Sequence, residues 1–175
     1  MKINWFPGHM HKALKDIENQ LKKVDVVIYV LDARIPLSSL NPSLNKIAEN
    51  KKILYVVNKI DLADLERVKV LLPQLKNENS DYILFNSNAY KGNLILDKVK
   101  KLASDKIEKY KSKGVKATIR VMVIGIPNCG KSSIVNNLCK KAKTLTGTRA
   151  GVTKSGQGLN VGDGIEIYDT PGTLY

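Results

Sequence analysis

Cysteine is scarce: the chain holds two, Cys129 and Cys139. That is too few for a disulfide framework, and metal-ligand spacing is absent. Both are expected to be reduced, partly buried thiols. Long apolar runs are missing too. The longest clear one, Val26 to Leu31, falls far short of the ~20 residues that cross a bilayer. Met1 to Asp16 contains no continuous apolar stretch, so it does not read as a signal peptide. A cytoplasmic protein without a membrane partner is the expectation. Internal repeats and low-complexity tracts are likewise absent.

Acidic residues are few in number, 16 against 29 Lys and Arg, which leaves a formal charge of +13. The shortage is local. No Asp or Glu lies between Glu108 and Asp163, a stretch with eleven Lys and Arg. Charge alone leaves two readings open: a basic face for an anionic polymer such as RNA, or a solvated lysine-rich surface.

What is present is an alternation of strands and helices. Val26–Leu31, Ile53–Val57, Ile119–Ile124 and Ile165–Tyr168 read as short buried strands rich in β-branched residues. Tyr82–Phe85 and Leu159–Val161 are weaker candidates. Helical spacing is expected over Lys12–Lys23, Leu40–Asn50, Leu62–Asn77, Leu94–Lys111 and Lys131–Lys141. This order predicts an α/β fold, with a mainly parallel sheet covered by helices on both faces. Lys109–Lys116 reads as a solvated joint.

Gly125-Ile126-Pro127-Asn128-Cys129-Gly130-Lys131-Ser132 fits the phosphate-binding P-loop, with a strand before it and a helix after it. Glycines let the backbone curl so that N–H groups point at phosphate oxygens, and a helix N-terminus adds partial positive charge. Asn128, Cys129, Gly130, Ser132 and Ser133 are candidate nucleotide contacts. Lys131 would reach the β- and γ-phosphates, and the Ser132 hydroxyl would ligate Mg²⁺. Asp169-Thr170-Pro171-Gly172 lies 44 residues after Gly125 at the end of a strand. Asp169 is a candidate Mg²⁺ ligand, and the Gly172 N–H a candidate γ-phosphate contact. Thr153, between the two motifs, is a candidate switch threonine over Mg²⁺.

Asn58-Lys59-Ile60-Asp61 directly follows a strand and fits the N-K-x-D guanine reader. The Asp61 carboxylate can accept from both N1–H and the N2 amine of guanine; adenine would leave it unpaired. The Lys59 stem can lie across the base, and Asn58 can tie the base loop to the P-loop. Asn86 and Ser87, after the Tyr82–Phe85 strand, are candidates for the remaining guanine loop. The nucleotide is therefore expected to be GTP or GDP. The order is unusual, because Asn58 lies 67 residues before Gly125. Such a circular permutation keeps every strand beside its neighbour if the old ends are joined, here through 109–116.

Trp5-Phe6-Pro7-Gly8-His9-Met10, Asp32-Ala33-Arg34-Ile35-Pro36 and the permuted motifs together resemble the ribosome biogenesis GTPase A (YlqF-type) family, over essentially the whole chain. The resemblance implies a three-layer P-loop GTPase fold and a cytoplasmic GTP hydrolase. The implied role is in assembly of the large ribosomal subunit, with that subunit or its precursor and rRNA as partners and no DNA. It implies K⁺ coordination by Asn128. It also implies His9 as the group that orients water, because Thr173 stands where many GTPases place a Gln after D-x-x-G. Pro7-Gly8 is expected to form a turn carrying that arm. The family's RNA-contacting helical domain is expected to lie outside these 175 residues. Two alternatives stay open: a GTP-dependent binding switch with little intrinsic hydrolysis, and a GTPase of tRNA modification.

Overall fold

The computed structural model describes residues 7–86, 92–126, 129–146 and 158–169, with backbone only at 7–10, 13, 140–146 and 169. Six strands form one sheet: β1 (Val26–Asp32), β2 (Lys52–Asn58), β3 (Ser80–Leu84), β4 (Ile119–Gly125), β5 (Leu159–Asn160) and β6 (Ile165–Asp169). Their order across the sheet is β3-β2-β1-β4-β6-β5. All pairings are parallel except β5 with β6. The chain thus winds outward twice from a central β1–β4 pair, once through β2 and β3 and once through β6. That pair is the topological switch point, where α/β sheets open a crevice beyond their strand ends.

All seven residues of β1 are buried. A strand with no solvent face needs cover on both sides, and successive side chains divide between two cores. On one face Val26, Ile28 and Val30 pack with α4 (Gly92–Leu102) and α6 (Lys131–Thr146), through Ile95, Val99, Ile134 and Leu138. On the other, Val27, Tyr29 and Leu31 meet α1 (Pro7–Leu21), α2 (Pro42–Ala48) and α3 (Leu65–Leu71), through Ile17, Leu44 and Val68. Each such aliphatic side chain contributes roughly 1.5–3 kcal/mol of burial. The three layers expected from the motifs are therefore present.

Local chemistry sets the helix ends. Asn41 caps α2, its Oδ1 accepting from Ser43 N at 2.9 Å and Leu44 N at 3.2 Å, and Pro42 opens the first turn. Asp64 caps α3 in the same way.

Several expected boundaries are corrected. The Leu62–Asn77 helix is shorter: α3 gives way to a 3-10 turn at Leu72–Leu75, because Pro73 has no N–H to continue the ladder. Leu94–Lys111 is two helices, α4 and α5 (Ser104–Ser112), broken at Ala103. No residue of α5 is fully buried, so burial does not keep it in line with α4. The joint expected at 109–116 is half helix. α5 ends where Gly114 turns left-handed and donates to Lys111 O at 2.9 Å. α1 begins at Pro7 rather than Lys12, so Pro7-Gly8 is a first helical turn and not the expected reverse turn. Proline suits that position, where its missing N–H costs nothing. No helix among the described residues is long and apolar enough to cross a membrane.

Candidate functional site

The motif residues collect where the strands end, around the β1–β4 crevice. β4 closes at Gly125, in register with Val30 of β1. A Cβ on Gly125 would come within 2.7 Å of Cys129 Sγ and 3.0 Å of Val30 O, so only glycine lets the loop fold back over the strand. Cys129 is buried beneath that turn, and burial pushes its thiol above the usual range. It is a packed residue of the loop. α6 then starts: Ile134 N donates to Gly130 O at 3.1 Å. Lys131 at its first position is buried, only 5% exposed, while Ser132 and Ser133 are exposed on the same turn. A cation at a helix N-terminus is opposed by the helix dipole, so its place there is a cost to folding.

β2 delivers the second motif beside the first. Asn58 is 1% exposed, and its Nδ2 donates to Cys129 O at 3.2 Å across 71 residues of sequence. Its Oδ1 is buried and meets no donor among the described residues. A Cβ on Gly130, whose φ is +93°, would overlap that Nδ2, so glycine is required there twice over. Lys59 follows with φ 64°, a left-handed conformation unusual for a side chain of that size. The bend starts a 3-10 turn over Ile60–Leu62 that presents Asp61 to solvent. Ile60 N donates to Phe85 O at 3.4 Å, which sets Asn86 beside this loop.

Asp169 is the last residue of β6 and pairs with Val123 of β4, so its backbone stands at the same end of the sheet as the P-loop. His9 falls in the first turn of α1. Ser87, Asn128, Thr153 and Gly172 lie outside the described residues. A groove of about 640 Å³ lies elsewhere, lined by Leu40, Asn45, Tyr55 and Leu75, and none of the motif residues borders it.

Sequence reasoning assigned no role to Asp32 and Arg34. Asp32 ends β1, is 4% exposed and is in register with Asn58. Arg34 grips its carboxylate with Nε to Oδ1 at 3.0 Å and Nη2 to Oδ2 at 2.7 Å. Lys59 Nζ stands 3.6 Å from the same Oδ2. The Arg34 guanidinium holds the Asp32 carboxyl below the usual range, against burial, with help from the Arg34 N–H and Lys59. Its stabilisation is therefore present above the ordinary carboxylate range and is lost as pH falls through the lowered value. The legible signal was an acidic residue closing an otherwise apolar strand.

Residues 120–175 match the family described as 50S ribosome-binding GTPase. Over its full length the chain is 42% identical to ribosome biogenesis GTPase A of Bacillus licheniformis, covering 62% of that protein. Along its whole length the chain is thus similar to the ribosome biogenesis GTPase A family. Two solved members agree with the fold. GNP-bound YlqF from T. maritima superposes with a TM-score of 0.64 at 28% identity, over 94% of this chain and 59% of that one. The GDP-bound structure gives 0.56 at 27% identity, over 91% and 58%. The chain thus spans about three fifths of the length of the relatives it matches. Its sheet order, with N-K-x-D on β2 and the P-loop on β4, is the permuted P-loop GTPase arrangement.

Proposed function

We propose that this chain is the nucleotide domain of a GTPase that hydrolyses GTP to GDP and phosphate and assists assembly of the large ribosomal subunit in the cytoplasm. The observation that carries the reading is the Asn58–Cys129 hydrogen bond, which joins the guanine-reader motif to the phosphate motif at the switch point. Two sequence signals 67 residues apart meet in one crevice, as binding a base and its phosphates at once requires. The relatives named for ribosome biogenesis and the GNP- and GDP-bound neighbours support the same assignment.

Within that reading the N–H groups of 128–133 cradle the phosphates and Lys131 offsets their charge. Asp61 reads guanine, Asn86 and Ser87 line its other edge, and Gly172 meets the γ-phosphate. Ser132 and Asp169, with Thr153, would hold Mg²⁺. A hydroxyl on the first turn of α6 and a carboxylate ending β6 are the hard oxygen donors this ion prefers. When bound, the ion neutralises charge on the phosphate oxygens. Asn128 is assigned to K⁺. The partner is the large subunit or its precursor. Lysines of the acid-free stretch, of which Lys109, Lys111 and Lys113 are exposed on α5 and at its end, would face rRNA.

Single-turnover hydrolysis with and without large subunits, in K⁺ and in Na⁺, tests the reading. Faster turnover with subunits, and in K⁺ over Na⁺, is expected. Binding to subunits with no stimulation would favour the switch alternative, and equal rates in the two salts would remove K⁺.

His9 is assigned the orientation of the attacking water. Chain direction supports this: α1 enters β1 through the four-residue turn 22–25, so its first turn lies toward the end where the strands finish. His9→Ala should lower subunit-stimulated hydrolysis by at least about tenfold, the low edge for a positioned base. GTP affinity should hold, and His11→Ala, two residues along, should do little. Equal stimulated rates in both variants would remove His9 from the mechanism.

A further inference from the structure

Lys59 adopts a backbone conformation that glycine or asparagine would take at less cost. Its side chain must therefore be worth the strain, and its surroundings show where it goes. The stem runs past the P-loop: Lys59 Cε lies 3.9 Å from where a Cβ on Gly130 would stand. The ammonium ends 3.6 Å from Asp32 Oδ2. Asp32 is itself held firmly. The Arg34 N–H and Nε both donate to Oδ1 at 3.0 Å, and Nη2 donates to Oδ2 at 2.7 Å. Its own N–H donates to the buried Ser39 Oγ at 3.0 Å, and Ala33 N donates to Asn58 O at 2.8 Å. The carboxylate is thus a fixed point at the switch of the sheet, set by groups one strand away from the base loop.

We propose that Asp32 is a positioning residue for the guanine site: with Arg34 behind it, its carboxylate tethers the Lys59 ammonium, so the lysine stem lies across the base crevice before nucleotide arrives. The inference rests on the guanine-site reading above. It adds that affinity for the purine ring depends on a residue that does not touch it. An unbound lysine chain samples many rotamers, and fixing it before binding removes an entropy cost that would otherwise weaken the complex. Arg34 without Lys59 would make Asp32 a loop tie only. The placement of Lys59 against both the P-loop and Oδ2 distinguishes the two roles.

The tether acts on the ring face, while Asp61 reads the ring edge, and the experiment uses that difference. GDP and inosine diphosphate, which lacks the N2 amine, are titrated against wild type, Asp32→Asn, Lys59→Met and the double variant of the full chain. Melting of each nucleotide-free protein is followed alongside. Asp32→Asn should weaken both nucleotides by about the same factor, roughly tenfold, as for a partly buried charge pair. In the Lys59→Met background it should cost less than about twofold, since coupled residues are not additive. Asp32→Ser, which keeps an acceptor for the Arg34 N–H but no charge, should behave alike. The tether is overturned if Asp32→Asn leaves affinity unchanged, or if its full loss persists beside Lys59→Met. Collapse of the GDP preference over inosine diphosphate, or loss of a cooperative melt in both Asp32 variants, would overturn it equally. A wild-type chain that bound neither nucleotide would overturn the guanine site itself.

Discussion

Lys131→Ala is expected to abolish useful GTP binding while leaving a nucleotide-free fold that still melts cooperatively. The two halves have separate causes. Lys131 opens α6 and is almost wholly buried beside the P-loop turn. In the complex it would be the main cationic side chain of the described P-loop against the β- and γ-phosphates. Truncating one partner of a buried, hydrogen-bonded charge pair costs about 2–5 kcal/mol, on the order of a hundredfold or more in Kd. In the free protein Lys131 is a single buried residue at the first position of a helix. Truncating it there leaves the sheet and both apolar cores in place. Calorimetric titration with GTP and a thermal melt of the nucleotide-free variant check the two halves together. Tight GTP binding by the variant would sink the phosphate-site assignment.

Asp61→Asn should exchange the base preference rather than merely weaken it. Asp61 stands in the 3-10 turn that the left-handed Lys59 starts, exposed among the described residues and next to the crevice. A carboxylate accepts from guanine N1–H and the N2 amine. An amide can accept from one and must then present a donor to the other. Xanthine has a carbonyl in place of the amine, which suits the amide. Sites built on a buried polar match reject the wrong partner by about 10⁴ or more. Asp61 is more open in the described residues than such a site, so a loss of about 10³ for GTP is the expected scale. Competition between GTP and xanthosine triphosphate on wild type and variant measures it. A variant that kept full preference for GTP would remove Asp61 as the reader.

The site and the fold were not equally legible, and the reasons are physical. The P-loop is local. Its glycines, its lysine and its helix start all act within eight residues, so composition and spacing carry the chemistry. The strands were legible because a fully buried parallel strand must be apolar at every position, as β1 is through Leu31. The boundaries of α3 and α5 were less legible. Apolar spacing runs on through Pro73 and through Ala103, whereas the helices stop where an N–H is missing or burial ends. The turn expected at Pro7-Gly8 failed similarly. Both residues favour turns, but proline equally favours the first position of a helix, and α1 begins there. Asp32 was visible as part of a family signature but carried no role, because its partners are a lysine 27 positions away and a guanidinium whose direction the sequence does not specify.

Sequence by itself determined the residue chemistry of this protein: a phosphate loop, a base-reading loop, strands buried on both faces, and their permuted order. Those properties depend on neighbours along the chain or on side-chain type alone. Tertiary structure decided what meets what. Parallel pairing of β1 with β4 closes the two halves of the chain on each other, and pairing of β1 with β2 sets Asp32 level with Asn58. That closure lets Asn58 reach Cys129 O, requires glycine at 130, and brings Lys59 between the P-loop and a carboxylate. Such contacts depend on strand register, and register is set by the fit of two whole cores rather than by any residue in the motifs.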